Sequence, residues 1–443
     1  MAFGTIRNSI FWLRDFFEGS PVRKHYLEVR EVNDDHLSDS NLRVRNENLE
    51  RILRYCRQAV PYYRDMELPD EYPLQLENFP VVNKNMIRSQ ADRFISEEAT
   101  KGKVFKATTS GSTGTPFTVH HDLNKKKRHQ ADVRYFWDTV GHPWGTRFYY
   151  LKIWNEKNRK SKRQQKKENI VPIDVMTLDE EAVSGLVNQM KSDKGPKSLL
   201  GYASALDQVA KYLRLHPGLM AGSNVLSVIA MSEALDGPTK EIFQKRFDCP
   251  VVSRYANIEC GMLAQQTAAL PEAFLANFAS YHIEILHPEK DVKVPLGTLG
   301  RIVVTDLFNR AMPMVRYDTG DLGVMGKTDR DGKTQFVLKK VEGRKMDVIY
   351  DTQGETISSF TVTNSMWSYP ELAQYQFIQK SAKTYEFRLN TENEFKREKE
   401  LLQEFKSYLG EDAEIQVVYV SEIPLLSSGK RKKVVNLSNR EKP

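Results

Sequence analysis

Three cysteines in 443 residues, Cys56, Cys249 and Cys260, are too few and too scattered for a disulfide framework or a thiolate metal site. The chain therefore reads as a reduced, cytoplasmic protein. No apolar run approaches the roughly 20 residues that crossing a bilayer requires. The cluster Ile10-Phe11-Trp12-Leu13 stops at Arg14 and Asp15, too short for a signal-peptide core. It reads as an amphipathic segment packed on the body, with contact at the inner face of a membrane as the alternative. Internal repeats are absent, and the only biased segment is one basic run. With 40% hydrophobic and 28% charged residues, disordered and fibrous classes are excluded and a substantial core is affordable.

The net charge of +7 is concentrated in residues 156–168, where seven lysines and arginines face two flanking glutamates. No aromatic residue interleaves them for base stacking, so nucleic acid is not the expected partner. The segment reads as a solvated, mobile loop, the alternative being a grip on an anionic polymer or lipid surface.

Residues 1 to about 100 look mainly helical, and 45–60 carry an apolar stripe at Leu49, Ile52, Leu53 and Cys56. From there, short apolar runs at 147–153, 198–200, 225–230 and 250–253 alternate with helical stretches, the pattern of buried strands in a layered α/β architecture. More strictly alternating runs at 281–286, 300–306 and 334–341 predict antiparallel strands. A β-β-α-β block then restarts at 375–378 and 385–389, with Gly410 placed to end its helix and a last strand over 413–420. The expected organisation is a large multi-subdomain lobe of layered sheets and helices, 1–342, and a small, mobile α+β domain, 343–443.

Residues 107–116 (Ala-Thr-Thr-Ser-Gly-Ser-Thr-Gly-Thr-Pro) are nearly all small or hydroxylated. Such a loop lets backbone N–H groups and hydroxyls converge on phosphate. It lacks the Gly-Lys-Ser/Thr of a Walker A loop and is not a Gly-x-Ser-x-Gly nucleophile elbow. Further along come Ser232-Glu233-Ala234-Leu235, Tyr255-Ala256-Asn257-Ile258-Glu259, Arg316-Tyr317-Asp318-Thr319-Gly320-Asp321, Gly343-Arg344 and Pro424 with Ser428-Gly429-Lys430. In this order the set resembles the adenylate-forming (acyl-CoA synthetase) superfamily. Pro61-Tyr62-Tyr63-Arg64 and Phe79-Pro80-Val81-Val82-Asn83-Lys84 resemble the N-terminal signature of its phenylacetate-CoA ligase group, and the closest likeness is to the CapK-like branch of capsular polysaccharide biosynthesis.

The resemblance implies ATP-dependent activation of a carboxylic acid as an acyl-adenylate, then acyl transfer, by default to coenzyme A. Thr109, Ser110, Gly111, Ser112, Thr113 and Gly114 match the segment that binds the β and γ phosphates. Glu259 matches the carboxylate that holds Mg²⁺, a hard cation suited to oxygen and phosphate. Tyr255 matches the ring that stacks on adenine, with Ala256 and Asn257 beside it, and Ser232, Glu233 and Ala234 match the segment bordering the base. Asp321 matches the acceptor of both ribose hydroxyls, Arg344 a second ribose and phosphate contact, and Lys430 the lysine that reaches the reacting oxygens. Departures from the family pattern are Ala256 for glycine, Ile258 for Ser or Thr, Asp318 for arginine, and Met346 two positions after Arg344. Tyr149, Trp154, Gly201 and Tyr202 are candidates for lining the acid pocket, and a homodimer is the assembly the group implies. Two other functions fit the same features: an amide or ester ligase acting on a surface-polysaccharide precursor, and a non-catalytic protein that binds an anionic polymer or membrane through 156–168.

Overall fold

The computed structural model describes the chain except residues 1, 68, 70–72, 99–100, 110–116, 155, 157, 221, 233–234, 331, 345–348, 358–360, 363–364, 392, 425–431 and 439–443. At 2–5, 109, 344, 356 and 367 it describes the backbone alone. Ser110 to Gly114, Glu233, Ala234, Met346 and Lys430 lie outside the described residues.

Three long helices, Ala2–Phe17, Pro21–Asp34 and Asp39–Ala59, open the chain. The third starts where the Ser38 hydroxyl accepts from the Asn41 N–H, and the stripe Ile52, Leu53 and Cys56 turns inward as its spacing requires. A short strand β1 (Val82–Asn83) and a hairpin, β2 (Phe105–Thr109) and β3 (Phe117–His121), follow. Thr109 and Phe117 are the last described cross-strand pair of that hairpin, and the phosphate-type segment lies between them in the sequence.

Strands β4 (Arg147–Lys152), β5 (Ile170–Asp174), β6 (Lys197–Tyr202), β7 (Val225–Met231) and β8 (Val251–Asn257) lie parallel in the order β5-β4-β6-β7-β8. Helices Glu180–Ser192, Ala203–Leu215 and Gly237–Phe247 make the crossovers between them. Leu199, Val228 and Ala230 of the sheet pack with Leu206, Val209 and Phe243 of the helices. The chain then reverses into β9 (Gly261–Thr267), β10 (Leu270–Ala276), β11 (Tyr281–Leu286), β12 (Leu299–Asp306), β13 (Tyr317–Arg330) and β14 (Lys333–Arg344). These continue the sheet antiparallel, in the order β8-β9-β10-β14-β13-β12-β11, with β1 beside β13. The β8–β9 turn is tight. Gly261 adopts φ +109°, and a Cβ there would stand 2.8 Å from His129 Nδ1, so two independent constraints select glycine.

A separate sheet closes the chain: β15 (Ile349–Tyr350) pairs β16 (Thr356–Ile357), while β17 (Leu372–Gln379), β18 (Thr384–Thr391), β19 (Glu414–Tyr419) and β20 (Val434–Asn436) run β19-β18-β17-β20. Phe377, Phe387, Leu401 and Phe405 form its own core beneath helix Glu398–Leu409. That helix ends at Gly410, at φ +110°, whose N–H bonds the Lys406 carbonyl at 2.8 Å.

Two expectations need correcting. Residues 162–168 of the basic segment are a helix, Lys162–Glu168, because Ser161 and Gln164 form a reciprocal capping box and Asn169 closes it in the left-handed region. Tyr149 is fully buried in the core between β4 and the crossover helices, its hydroxyl donating to Asp193 at 3.3 Å, so it does not line a pocket. The cluster Ile10 to Leu13 is amphipathic and packed on the body as expected: Phe11 and Trp12 pack inward, and Ile10 and Leu13 face solvent.

His36 is fully buried and locks the first helices to β14 by accepting the Phe336 N–H at Nε2, 3.0 Å. Burial, aided by the Arg45 guanidinium, lowers its pKa to about 4. The unfolded chain, at about 6.5, takes up that proton first. The stability contribution is therefore complete above pH 6.5 and falls by about 1.4 kcal/mol per pH unit until the folded pKa is reached. His36→Gln should flatten the wild-type slope of unfolding free energy between pH 6.5 and 4 by that amount in urea titrations. Equal slopes in the two proteins would contradict this.

Candidate active site

The sheet changes from parallel to antiparallel between β8 and β9, and the turn joining them carries Glu259. Crevices at the carboxyl ends of parallel strands are where open α/β sheets receive ligands. Ser232, directly after β7, enters this end with φ +70°, a left-handed conformation that few non-glycine residues adopt.

Glu259 is 8% exposed. Its Oε1 accepts from the Tyr317 hydroxyl at 3.5 Å and lies 3.8 Å from Lys84 Nζ. The backbone of the turn is held separately: its carbonyl oxygen accepts from His121 Nε2 at 2.9 Å, and the Cys260 N–H donates to Asn257 Oδ1 at 2.7 Å. Because a carbonyl can only accept, the His121 proton sits on Nε2. Burial and then Lys125 lower the pKa of that ring and keep it neutral. His121 ends β3, and Lys84 Nζ also stands 5.3 Å from the ring of Phe117 at the start of β3. Together the two contacts tie both ends of β3 to the Glu259 turn, His121 directly and Phe117 through Lys84.

Tyr255, near the end of β8, has its ring in the core, and its hydroxyl donates to Asp321 Oδ2 at 2.8 Å, with Thr319 Oγ1 at 3.2 Å. Burial first, and the Asp321 charge second, push the phenol well above its usual pKa, so it remains a donor. Asp321 faces Arg344 across the β13–β14 ladder. Asp318 accepts from Arg301 at 2.7 Å. Ala256 and Asn257 flank the same turn, with Asn257 committed to Cys260.

The structure thus gathers Ser232, Tyr255, Ala256, Asn257, Glu259, Asp321, the Arg344 backbone and the hairpin ends around one end of the sheet. Sequence reasoning missed Lys84, His121 and Tyr317 as partners of Glu259. Lys84 was visible only as the last residue of the Phe79 to Lys84 signature, without a role.

A further contact reaches across from the C-terminal sheet. Lys433, just before β20, makes ion pairs with Asp207 at 3.1 Å and with Asp236 at 3.7 Å, and Lys211 stands 3.7 Å from Asp207. Burial raises the Asp207 pKa, but Lys433 and Lys211 together outweigh it and hold the carboxyl below its usual value. Beside this contact a crevice of about 300 Å³ opens between Ser204, Gln208 and Asp179 on one side and Gln374 and Glu422 on the other. None of the site residues named above lines it.

Among the described residues no three His, Cys, Asp or Glu side chains gather as a metal cage. Mg²⁺ does not need one, because it binds through one or two carboxylates when phosphates and water complete its shell. A single, nearly buried Glu259 carboxylate, its turn held by His121 of β3, fits that donor set.

Comparison with known proteins finds similar sequences and a shared fold. A sequence profile of the CapK C-terminal domain matches residues 349–437. Protein CapK of Staphylococcus aureus is 21% identical over 93% of this chain and 92% of its own length. The chain is thus similar to CapK over nearly its whole length, and its C-terminal part matches the CapK C-terminal domain. Phenylacetate-coenzyme A ligase of Aromatoleum evansii is 26% identical, over 36% of this chain and 39% of its own. Among solved structures, 2-hydroxyisobutyryl-CoA ligase in its postadenylation state with 2-HIB-AMP superposes with a TM-score of 0.70 at 16% identity, covering 91% of each chain. ATP-bound MatB of Rhodopseudomonas palustris gives 0.53 at 15% identity, covering 76% of this CapK-like chain and 66% of its own. The large α/β lobe with its small C-terminal sheet is thus the adenylate-forming fold.

Proposed function

We propose that this CapK-like chain is an ATP- and Mg²⁺-dependent ligase that converts a carboxylic acid to an acyl-adenylate and passes the acyl group on, by default to the thiol of coenzyme A. The observation that carries the reading is the convergence of the Glu259 turn, the Tyr255–Asp321 pair and the hairpin base at the strand ends. The named relatives that bind ATP, an acyl-adenylate or coenzyme A share this fold and support it.

In this reading the amides and hydroxyls of Thr109 to Gly114 wrap the β and γ phosphates, and Asp321 accepts from both ribose hydroxyls. Tyr255 stacks its ring on the base while its hydroxyl holds Asp321, and Ser232, Glu233, Ala234, Ala256 and Asn257 border the base. Arg344 adds a planar donor fork to the ribose and phosphate. Glu259 holds Mg²⁺, which would neutralise phosphate charge. A carboxylate oxygen of the acid attacks the α-phosphorus, the bond to the β,γ-diphosphate breaks, and pyrophosphate leaves; Lys430 stabilises the charge that builds on the oxygens. In the second step the acceptor attacks the acyl carbonyl and AMP departs. Residues 343–443 act as a domain that reorients between the steps.

The test is acid-dependent exchange of labelled pyrophosphate into ATP. Exchange across a panel of acids is expected with Mg²⁺, and its absence from folded protein for every acid would refute the reading. A second acceptor class, an amine or hydroxyl on a surface-polysaccharide precursor, is supported by the CapK likeness, which spans 93% of the chain where phenylacetate-CoA ligase spans 36%. Product analysis with coenzyme A and then with amines separates the two.

Lys433 holds the segment three residues beyond Lys430 against the large lobe. Lys433→Met should lower the exchange rate about 10-fold through lost positioning while leaving the KM for ATP unchanged, an effect of about 1.4 kcal/mol. An unchanged rate would remove Lys433 from the first step.

A further inference from the structure

Helix Ala2–Phe17 has two unlike faces. On one, Asp15 is buried and its two carboxylate oxygens accept the N–H groups of Val22 and Arg23, both at 2.9 Å, while the Arg134 guanidinium stands 3.4 Å from the ring centre of Phe11 and 4.8 Å from that of Trp12. At 100° per residue, Ile6, Ile10, Leu13 and Phe17 fall on the face opposite Asp15. They are 51–78% exposed, and Phe16 beside them is 67% exposed. Five large apolar side chains on one surface helix are more than scattered exposure explains.

What adjoins this face names its partner. Arg7, on the flank of the same helix, donates from Nη2 to the Lys166 carbonyl at 3.4 Å, which ties the N-terminal helix to helix Lys162–Glu168. No residue of that second helix is buried. Arg159, Lys162, Arg163, Lys166 and Lys167 are all exposed, and among the described residues none of them makes an ion pair; Lys160 alone pairs, with Glu168. An apolar helix face and an unneutralised basic helix therefore lie side by side.

We infer that this composite surface docks on an anionic lipid bilayer, with Ile6, Ile10, Leu13 and Phe17 entering the headgroup region and the basic helix facing the lipid phosphates. Each element alone binds weakly, and stable attachment takes an apolar signal together with a polybasic one. A second copy of the chain fits less well. A self-complementary two-fold contact through the apolar face would bring two basic helices together. No helix among the described residues is long and apolar enough to span a membrane, so the contact is peripheral.

The test is cosedimentation of the full chain with phosphatidylcholine vesicles, with and without phosphatidylglycerol. Binding is expected to the phosphatidylglycerol vesicles and to drop toward the phosphatidylcholine level at about 1 M salt, where the screening length is about 3 Å. Lys166→Gln with Lys167→Gln should weaken partitioning roughly 30-fold, about 5-fold per charge, and Leu13→Glu with Phe17→Glu should abolish it. No binding, or equal binding to both vesicles, overturns the inference. So does light scattering that finds a wild-type dimer, without vesicles, which the Leu13/Phe17 variant lacks. Should that variant fail to fold, the lysine pair on its exposed helix still decides, since wild-type-like partitioning there is equally fatal.

Discussion

Asp321→Ala is expected to raise the KM for ATP about 10²- to 10⁴-fold. Two ribose hydroxyls donating to one carboxylate are charge-assisted hydrogen bonds of about 1.5–3 kcal/mol each, and alanine removes both. The Tyr255 phenol is the internal control. Its hydroxyl meets Asp321 at 2.8 Å and Thr319 at 3.2 Å, so Tyr255→Phe removes a bond to Asp321 while leaving the carboxylate in place. That variant should raise the same KM far less than Asp321→Ala, by about 10-fold or under, the worth of one oriented bond. Steady-state kinetics with ATP varied at saturating acid measure both. An unchanged KM in Asp321→Ala would mean that the β13 carboxylate does not meet the nucleotide.

Lys430→Ala should lower the rate of adenylate formation about 10²- to 10³-fold, the usual loss when one donor aimed at developing transition-state charge is removed. The defect belongs in kcat, because the lysine acts on charge that appears only as the carboxylate attacks. Equilibrium affinity for ATP should stay close to wild type. Acyl transfer from a supplied acyl-adenylate should also be nearly normal, which separates a first-step residue from a folding defect. A Lys430→Ala protein with full exchange activity would assign the lysine to the surface.

The fold was most legible where burial is symmetrical. The run 225–230 is almost wholly apolar because β7 is covered on both faces, and strands 147–153 and 198–200 announce themselves likewise. Strand Tyr317–Arg330 was invisible by the same criterion. Five of its residues are charged and three are glycine, and it is a strand because β12 and β14 pair with it on either side. Thr-Gly-Asp within it reads as a turn until those ladders exist. Helix Leu123–Asp138 is a second case. Its first residues, Leu-Asn-Lys-Lys-Lys-Arg, look like a solvated face, yet Lys125 and Arg128 are buried. Their partners, Asp306 at 2.6 Å and Ser280 at 2.8 Å, lie more than 150 residues away, where no local pattern points.

The site divides along the same line. Glu259, Tyr255 and Asp321 sit in short motifs that stand out in the sequence. Lys84, His121 and Tyr317 reach Glu259 only through tertiary contacts from three other strands or their ends. Lys433 was hidden within a run of basic residues, Lys430-Arg431-Lys432-Lys433, and only the facing Asp207 and Asp236 distinguish it from its neighbours.

The central claim is that the hairpin loop, the Glu259 turn and the β13 carboxylate form one nucleotide site. Titration calorimetry of the intact chain with ATP tests it most directly, first with Mg²⁺ and then with Mg²⁺ chelated. The account predicts one site per chain, lost in Asp321→Ala and weakened in Glu259→Gln only when Mg²⁺ is present. Heat of binding that is absent in folded wild-type protein, or identical in all three proteins, would contradict it.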